Sequence, residues 1–211
     1  YVKLTGGTSL NKWDVTNVTD DNGNLIYKLP EAKKDYRLMS FEFINQKDPT
    51  QNFKEGISLE HEDGTKVTDP KDVTKSGFKV KEGCQVYGQG TSSMEYPVKN
   101  LRIKFKKNRP VVYDGACPVD LVCFKADYME SSGSHNTGTA NLIYDLYSAL
   151  DMKTPAQTHY TKENGWNYDV VTAIRGFPIP VFWSPSGEPG TYEFIGKYNF
   201  NLDKATPEPF G

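Results

Sequence analysis

The stretch VYGQGTSSMEYPVKNLRIKF, Val86 to Phe105, decides how this chain is read. A turn built from glycine, glutamine, threonine and serine runs into LRIKF, where Leu101, Ile103 and Phe105 alternate with Arg102 and Lys104. Side chains along a strand repeat every two residues, so the three apolar residues share one face and the two cations the other. Upstream, GFKVKEGCQVYGQG alternates in the same way, with Phe78, Val80 and, past the kink at Glu82-Gly83, Val86 on the apolar side. The strands flanking the turn are predicted to pair antiparallel. The turn has two readings. Its N–H groups and hydroxyls cradle an anion that Lys99, Arg102 or Lys104 neutralises, or it is a capped hairpin and nothing more. It is not a Walker loop, because G-K-[ST] is missing and a strand follows where a helix N-terminus should hold the phosphate. Nor does it complete G-x-G-x-x-G, since Ser93 stands where the third glycine belongs.

Composition agrees with a β-rich chain. Its 211 residues suffice for one large domain or two small ones with a core that needs no staples. Thirteen Tyr, 11 Phe and 3 Trp with 18 Gly and 13 Pro favour strands and turns over a helical bundle. Lys plus Arg number 25 against 27 for Asp plus Glu, a net charge of −2 that gives no bulk pull toward nucleic acid or anionic membrane. Cys84, Cys117 and Cys123 form no C-x-x-C pair, have no histidine nearby and are odd in number, so they read as free thiols rather than disulfides or zinc ligands. No apolar run approaches the roughly 20 residues that span a bilayer. No G-x-S-x-G elbow or H-E-x-x-H pair occurs, and His61 and His159 read as ordinary histidines.

Residues 1–80 read as irregular β structure, with strands at Leu25–Leu29, Arg37–Ile44 and Gly56–His61 and a hairpin turn at HEDG. TGTANLIYDLYSAL, Thr137–Leu150, is the one convincing helix: Ile143, Leu146, Tyr147 and Leu150 fall on a single stripe, and Thr137 or Thr139 caps its start. Asp169–Trp183 and Gly190–Leu202 read as two further strands. Pro178 and Pro180 confine part of the first to an edge or a bend. Tyr192, Phe194, Tyr198 and Phe200 alternate in the second as sheet-packing residues do. The fold class is α+β, a mostly antiparallel sheet with one main helix. FKADYMESSGSHNTGTAN, Phe124–Asn141, gathers Asp127, Glu130, His135 and Asn136 around a Ser/Gly-rich turn before that helix. A carboxylate, an imidazole and an amide there either contact a ligand or cap the helix.

Taken in order, GQGTSSMEYPVKNLRIKF, then FKADYMESSGSHNTGTANLIYDLY, then GTYEFIGKYNFNLDK resemble the spore-coat CotH kinase-like family. More narrowly, QGTSSMEYPVKN, KADYMESSGSHNTG and GKYNFNLDK are similar to variants carried in tail or other structural proteins of bacteriophages. The resemblance runs from about Cys84 to Lys204. It implies a kinase-N-lobe-like module over residues 81–211, behind a β-rich region over 1–80. With Tyr1 in place of an initiator methionine, the chain reads as part of a longer protein.

In that resemblance Ser92, Ser93 and Lys104 stand on the phosphate side, and the Thr137–Leu150 helix stands for the N-lobe helix. Asp145 is the helix acid that could pair with Lys104. Gln89 replaces the arginine of the R-G-x-S-S pattern that the family carries at this turn, and nine residues after Leu202 cannot supply the second lobe that phosphoryl transfer requires. The implied function is therefore a virion structural module of a tail, baseplate or appendage. It would dock to other virion subunits, copies of itself included as a homo-oligomer, or attach to a host-surface ligand, without catalytic residues, metal, cofactor, nucleic acid or membrane insertion. The alternative is an atypical kinase or nucleotide-binding protein, in the cytoplasm or spore coat, using ATP and Mg. The ligand-contacting candidates are Gln89, Ser92, Ser93, Lys99, Arg102, Lys104, Asp127, His135 and Asn136. A third class, a sugar binder, would stack its ligand on Trp13, Trp166 or Trp183.

Overall fold

The computed structural model describes residues 1–6, 18–19, 25–27, 37–56, 58–61, 63–66, 78–82, 84–90, 92–109, 118–133, 135–168, 170 and 173–203. Trp13 and Cys117, and the side chains of His61, Phe78, Val80 and Ser92, lie outside that set. In chain order the elements are β1 (Val2–Thr5), β2 (Val18–Thr19), β3 (Leu25–Tyr27), β4 (Arg37–Phe43), β5 (Phe53–Glu55), β6 (Ser58–His61), β7 (Phe78–Glu82), β8 (Cys84–Gln89), β9 (Asn100–Arg109) and β10 (Val119–Lys125). Then come α1 (His135–Ala149), α2 (Pro155–His159), β11 (Gly176–Ser184) and β12 (Glu193–Leu202). The fold is α+β and strand-dominated, with an eight-stranded sheet and one main helix.

That sheet closes on itself. Its order is β1-β11-β12-β10-β9-β8-β4-β5, and β1 also pairs with β4, so seven strands form a ring and β5 extends β4 outside it. Strand directions cannot alternate all the way round a ring of seven; one neighbouring pair has to be parallel. That pair is β1 and β11, with Val2 opposite Val181 and Thr5 opposite Ser184, and every other pair in the ring is antiparallel. The sheet therefore crosses the sequence boundary near residue 80, since β1 and β4 are members of the same ring as β8–β12.

The interior is built by alternation. Val2 and Leu4, Met39 and Phe41, Cys84 and Val86, Leu101 and Ile103, Val122 and Phe124, Ile179 and Val181, and Phe200 and Leu202 all point inward and are buried. Every ring strand thus contributes alternate apolar side chains to one core, as a small filled barrel requires. Aromatic rings meet inside it, with Phe41 edge-on to Phe105 at 5.0 Å and Phe124 at 5.3 Å from Phe200. β8 and β9 pair antiparallel from Cys84 opposite Phe105 to Gln89 opposite Asn100, as their alternation predicts. Pro178 and Pro180 face β12 on one side, while β1 joins β11 only from Val181 onward. Their missing donors fall where, among the described residues, no strand pairs with the other edge.

Three local expectations are corrected. β12 does not alternate throughout: a bulge at Gly196, which adopts φ 143°, brings Val181 opposite Gly196 and then Phe182 opposite Phe194. The extra residue reverses the faces, so Ile195 packs toward the core while Phe194 is 61% exposed against Phe182. In α1 the predicted stripe is not the buried face; Thr137 and Ala140 are its buried residues. Neither Thr137 nor Thr139 caps α1, because the helix starts earlier, and Glu130 Oε2 accepts from the His135 backbone N–H at 2.9 Å instead.

α1 lies against β11, and Gly176 makes that approach possible. A Cβ there would meet the Phe200 carbonyl at 2.5 Å and Thr137 Cγ2 at 2.7 Å. Asn141 Nδ2 donates to the Gly176 carbonyl at 3.3 Å across the same contact.

Candidate functional site

The barrel's outer face over β8, β9, β10 and β12 carries the polar residues that alternate with the core. Four of them form a continuous hydrogen-bonded row with Asp203, which follows β12. Lys125 Nζ donates to Gln89 Oε1 at 2.6 Å, and Gln89 Nε2 donates to Cys123 Sγ at 3.2 Å. The Cys123 thiol donates to Asp203 Oδ2 at 2.9 Å. Arg102 closes the row with a forked contact, Nε to Oδ2 at 2.8 Å and Nη2 to Oδ1 at 3.2 Å. Asp203 is 3% exposed, so its charge is balanced within the fold. Burial, and then the bond to Asp203, push the Cys123 thiol up to about 12. At neutral pH it is therefore a protonated donor with little nucleophilic character.

Two clefts flank this row and share Gln89. The first, of about 550 Å³, lies between the sheet and the start of α1, where Gln89, Lys125 and Asp203 face His135, Asn136 and Thr139. The second, of about 480 Å³, is lined by Gly88, Gln89, Gly90, Arg102, Lys104 and Leu121 among others. Lys104 is half exposed there, and its ammonium stands 4.0 Å from Asp120. The acid beside Lys104 is thus Asp120 of the neighbouring strand, whereas the resemblance implied Asp145 of the helix.

The remaining sequence candidates sit behind or beside the clefts. Asp127, in the left-handed region at φ 47°, accepts from Asn199 Nδ2 at 2.6 Å and from Asn136 Nδ2 at 3.5 Å, tying the loop before α1 to β12. Lys99 is buried and donates to the Tyr96 carbonyl at 2.6 Å, and Ser93 Oγ reaches the Gln89 carbonyl at 3.5 Å. Neither lines either cleft. The loop between β8 and β9 contains a 3-10 turn, Ser92–Glu95, with Met94 buried beneath it. Beyond that turn Tyr96 stacks on Tyr128 at 5.5 Å. Among the described polar side chains of this loop, Ser93 and Lys99 thus bond to backbone carbonyls of the same segment.

Sequence reasoning reached Gln89, Arg102, Lys104, His135 and Asn136, which the fold does bring to the two clefts. It missed Cys123, Lys125, Asn201 and Asp203. The signal for Lys125 and Cys123 was available, because VDLVCFK places them on the face opposite Val122 and Phe124. Nothing local marks Asp203, which lies 101 residues from Arg102. Among the described residues no group of three or more His, Cys, Asp or Glu stands close enough to hold a metal, and no helix is long and apolar enough to cross a membrane.

The second exceptional surface is on α1. Leu142, Leu146 and Leu150 recur every four residues and are 66%, 51% and 58% exposed. Leu142 and Leu146 lie on the side of α1 away from Thr137 and Ala140, and Leu150, which directly follows the helix, continues their row. Compared with protein-family models, with curated proteins and with solved structures, the chain matches none.

Proposed function

We propose that this chain is a structural module of a bacteriophage virion that works by docking to a neighbouring subunit, a further copy of itself included, through the apolar stripe of α1. The observation that carries the docking is that stripe: three leucines a turn apart, each more than half exposed, two on α1 and the third directly after it, while other residues make the helix's buried contacts. Contiguous apolar surface of this kind mostly marks interaction sites. The virion setting rests on the resemblance of the three sequence blocks to phage structural proteins. Arg102, one of the two cations lining the second cleft, is already neutralised by Asp203, which leaves that cleft less charge for a phosphate and favours docking over nucleotide chemistry.

The test is sedimentation velocity on the chain and on a Leu142→Ser/Leu146→Ser/Leu150→Ser variant. The parent is expected to self-associate and the variant to sediment as a monomer. Their urea midpoints should agree within about 0.5 kcal/mol of stability, because exposed positions contribute little to folding. Identical sedimentation of the two proteins would remove the stripe from the proposal.

A second reading, a nucleotide-binding protein, draws on one observation. The 480 Å³ cleft presents Lys104 with its ammonium only loosely paired. Saturable Mg-ATP binding by calorimetry, lost in Lys104→Ala, would favour it.

A further inference from the structure

The described surface also holds a groove of about 260 Å³ between the middle of α1 and the segment that follows it. Four aromatic side chains line it, Tyr144, Tyr160, Trp166 and Tyr168, with Lys153 and Lys162 at its rim. From these residues we propose that the groove binds a single pyranose unit bearing an anionic substituent, a carboxylate or a phosphate. The inference stands apart from the docking stripe, whose leucines do not line the groove.

The groove is built by backbone and side-chain bonds that hold the rings in place. α2 begins with a capping box, Gln157 N–H to Thr154 Oγ1 at 3.2 Å and Thr154 N–H to Gln157 Oε1 at 3.0 Å. The Gln157 amide then donates to the Val170 carbonyl at 3.1 Å. The Trp166 backbone N–H donates to the Thr161 carbonyl at 3.0 Å, and Asn164 Nδ2 donates to the His159 carbonyl at 2.6 Å. Trp166 meets Tyr160 at 5.3 Å and Tyr168 at 5.9 Å, edge to face in both cases, so no ring is stacked flat on it. Arg175 covers the Tyr144 ring at 3.9 Å. A ligand would meet a platform that is already ordered, which keeps the entropic cost of binding low.

Charge and size select the ligand class. Aromatic walls alone would suit a quaternary ammonium, as aromatic cages do. Here Lys153 and Lys162 would repel a cation, and no carboxylate is among the described lining residues. A purely apolar ligand would use neither the two ammonium groups nor the Thr161 hydroxyl, whereas an anionic, hydroxyl-bearing one can pair with all three. A volume below the usual range of about 300–1,000 Å³ for small-molecule pockets admits one ring and little more. A pyranose offers C–H faces to the aromatic rings and hydroxyls to their polar tips, while its anionic group lies between the lysines.

The test is a ¹H–¹⁵N titration of the full chain, following the Trp166 indole N–H, with glucuronic acid, glucose 6-phosphate, glucose and benzoate as separate probes. The two acidic sugars are expected to shift that resonance saturably, and comparison of the two distinguishes a carboxylate site from a phosphate site. Glucose and benzoate are each expected to bind at least about 10-fold more weakly, a difference of roughly 1.4 kcal/mol. A Lys153→Ala/Lys162→Ala variant, altered only at exposed positions, should lose the preference for acidic over neutral sugar; Tyr168→Ala should weaken both. Equal binding of glucose would overturn the anionic assignment, and equal binding of benzoate the saccharide one. An indole resonance that none of the probes moves would overturn the site itself.

Discussion

Asp203 shows what a single side chain does in this fold. It gathers a guanidinium and a thiol onto one buried carboxylate, so Asp203→Asn should cost about 1–3 kcal/mol in urea unfolding, the range for a buried partner left unsatisfied. The Cys123 thiol gives the row a pH dependence whose sign follows from linkage. Its pKa is raised from 9.0 to about 12 in the folded protein, so the unfolded chain releases this proton first as pH rises. The thiol's contribution is complete below pH 9 and is lost between pH 9 and 12, at up to about 1.4 kcal/mol per pH unit. Urea midpoints at pH 8 and pH 11 should therefore fall more steeply for the parent than for Cys123→Ala. Parallel falls in the two proteins would show that this thiol is not the group responsible.

Strand β12 carries the element whose distortion matters most. Its bulge at Gly196 turns Ile195 toward the core and leaves Phe194 outside, and φ 143° is a conformation that side-chain-bearing residues rarely adopt. Space is not the obstacle, since a Cβ at Gly196 would meet only Tyr198 Cε2 at an ordinary 3.5 Å. Gly196→Ala should therefore cost about 1–3 kcal/mol through backbone strain alone. Chemical denaturation reads that directly, and an unchanged midpoint would mean that the bulge relaxes without cost. Sequence alternation could not reveal it, because YEFIGKYNF alternates acceptably in either register, and the turn of faces is set by pairing with β11. The same limit applies to α1. Its periodicity points to an apolar stripe as the buried face, but the face that meets the sheet is the one that Gly176 admits at Thr137.

The whole molecule depends on β1, four residues that close the ring between β4 and β11. Leu4 is fully buried there, and Leu4→Ala should lose about 2–5 kcal/mol, the range for a leucine removed from a packed core. Deletion of residues 1–6 should do more, leaving two long strand edges unpaired and exposing the core to a hydrophobic dye. A deletion protein with the parent's melting temperature and no dye binding would show that the ring is held elsewhere. By itself the sequence determined the β-rich α+β class, the β8–β9 pair and the inward faces of Leu101, Ile103 and Phe105. Those features need only the period-two pattern of neighbouring residues and turn residues between them. Only the tertiary structure decided that β1 joins the later strands, that Asp203 sits under Arg102 and that the leucines of α1 face outward. Each of these rests on contacts between residues far apart in the chain, where closing a seven-stranded ring, and no local propensity, selects the partner.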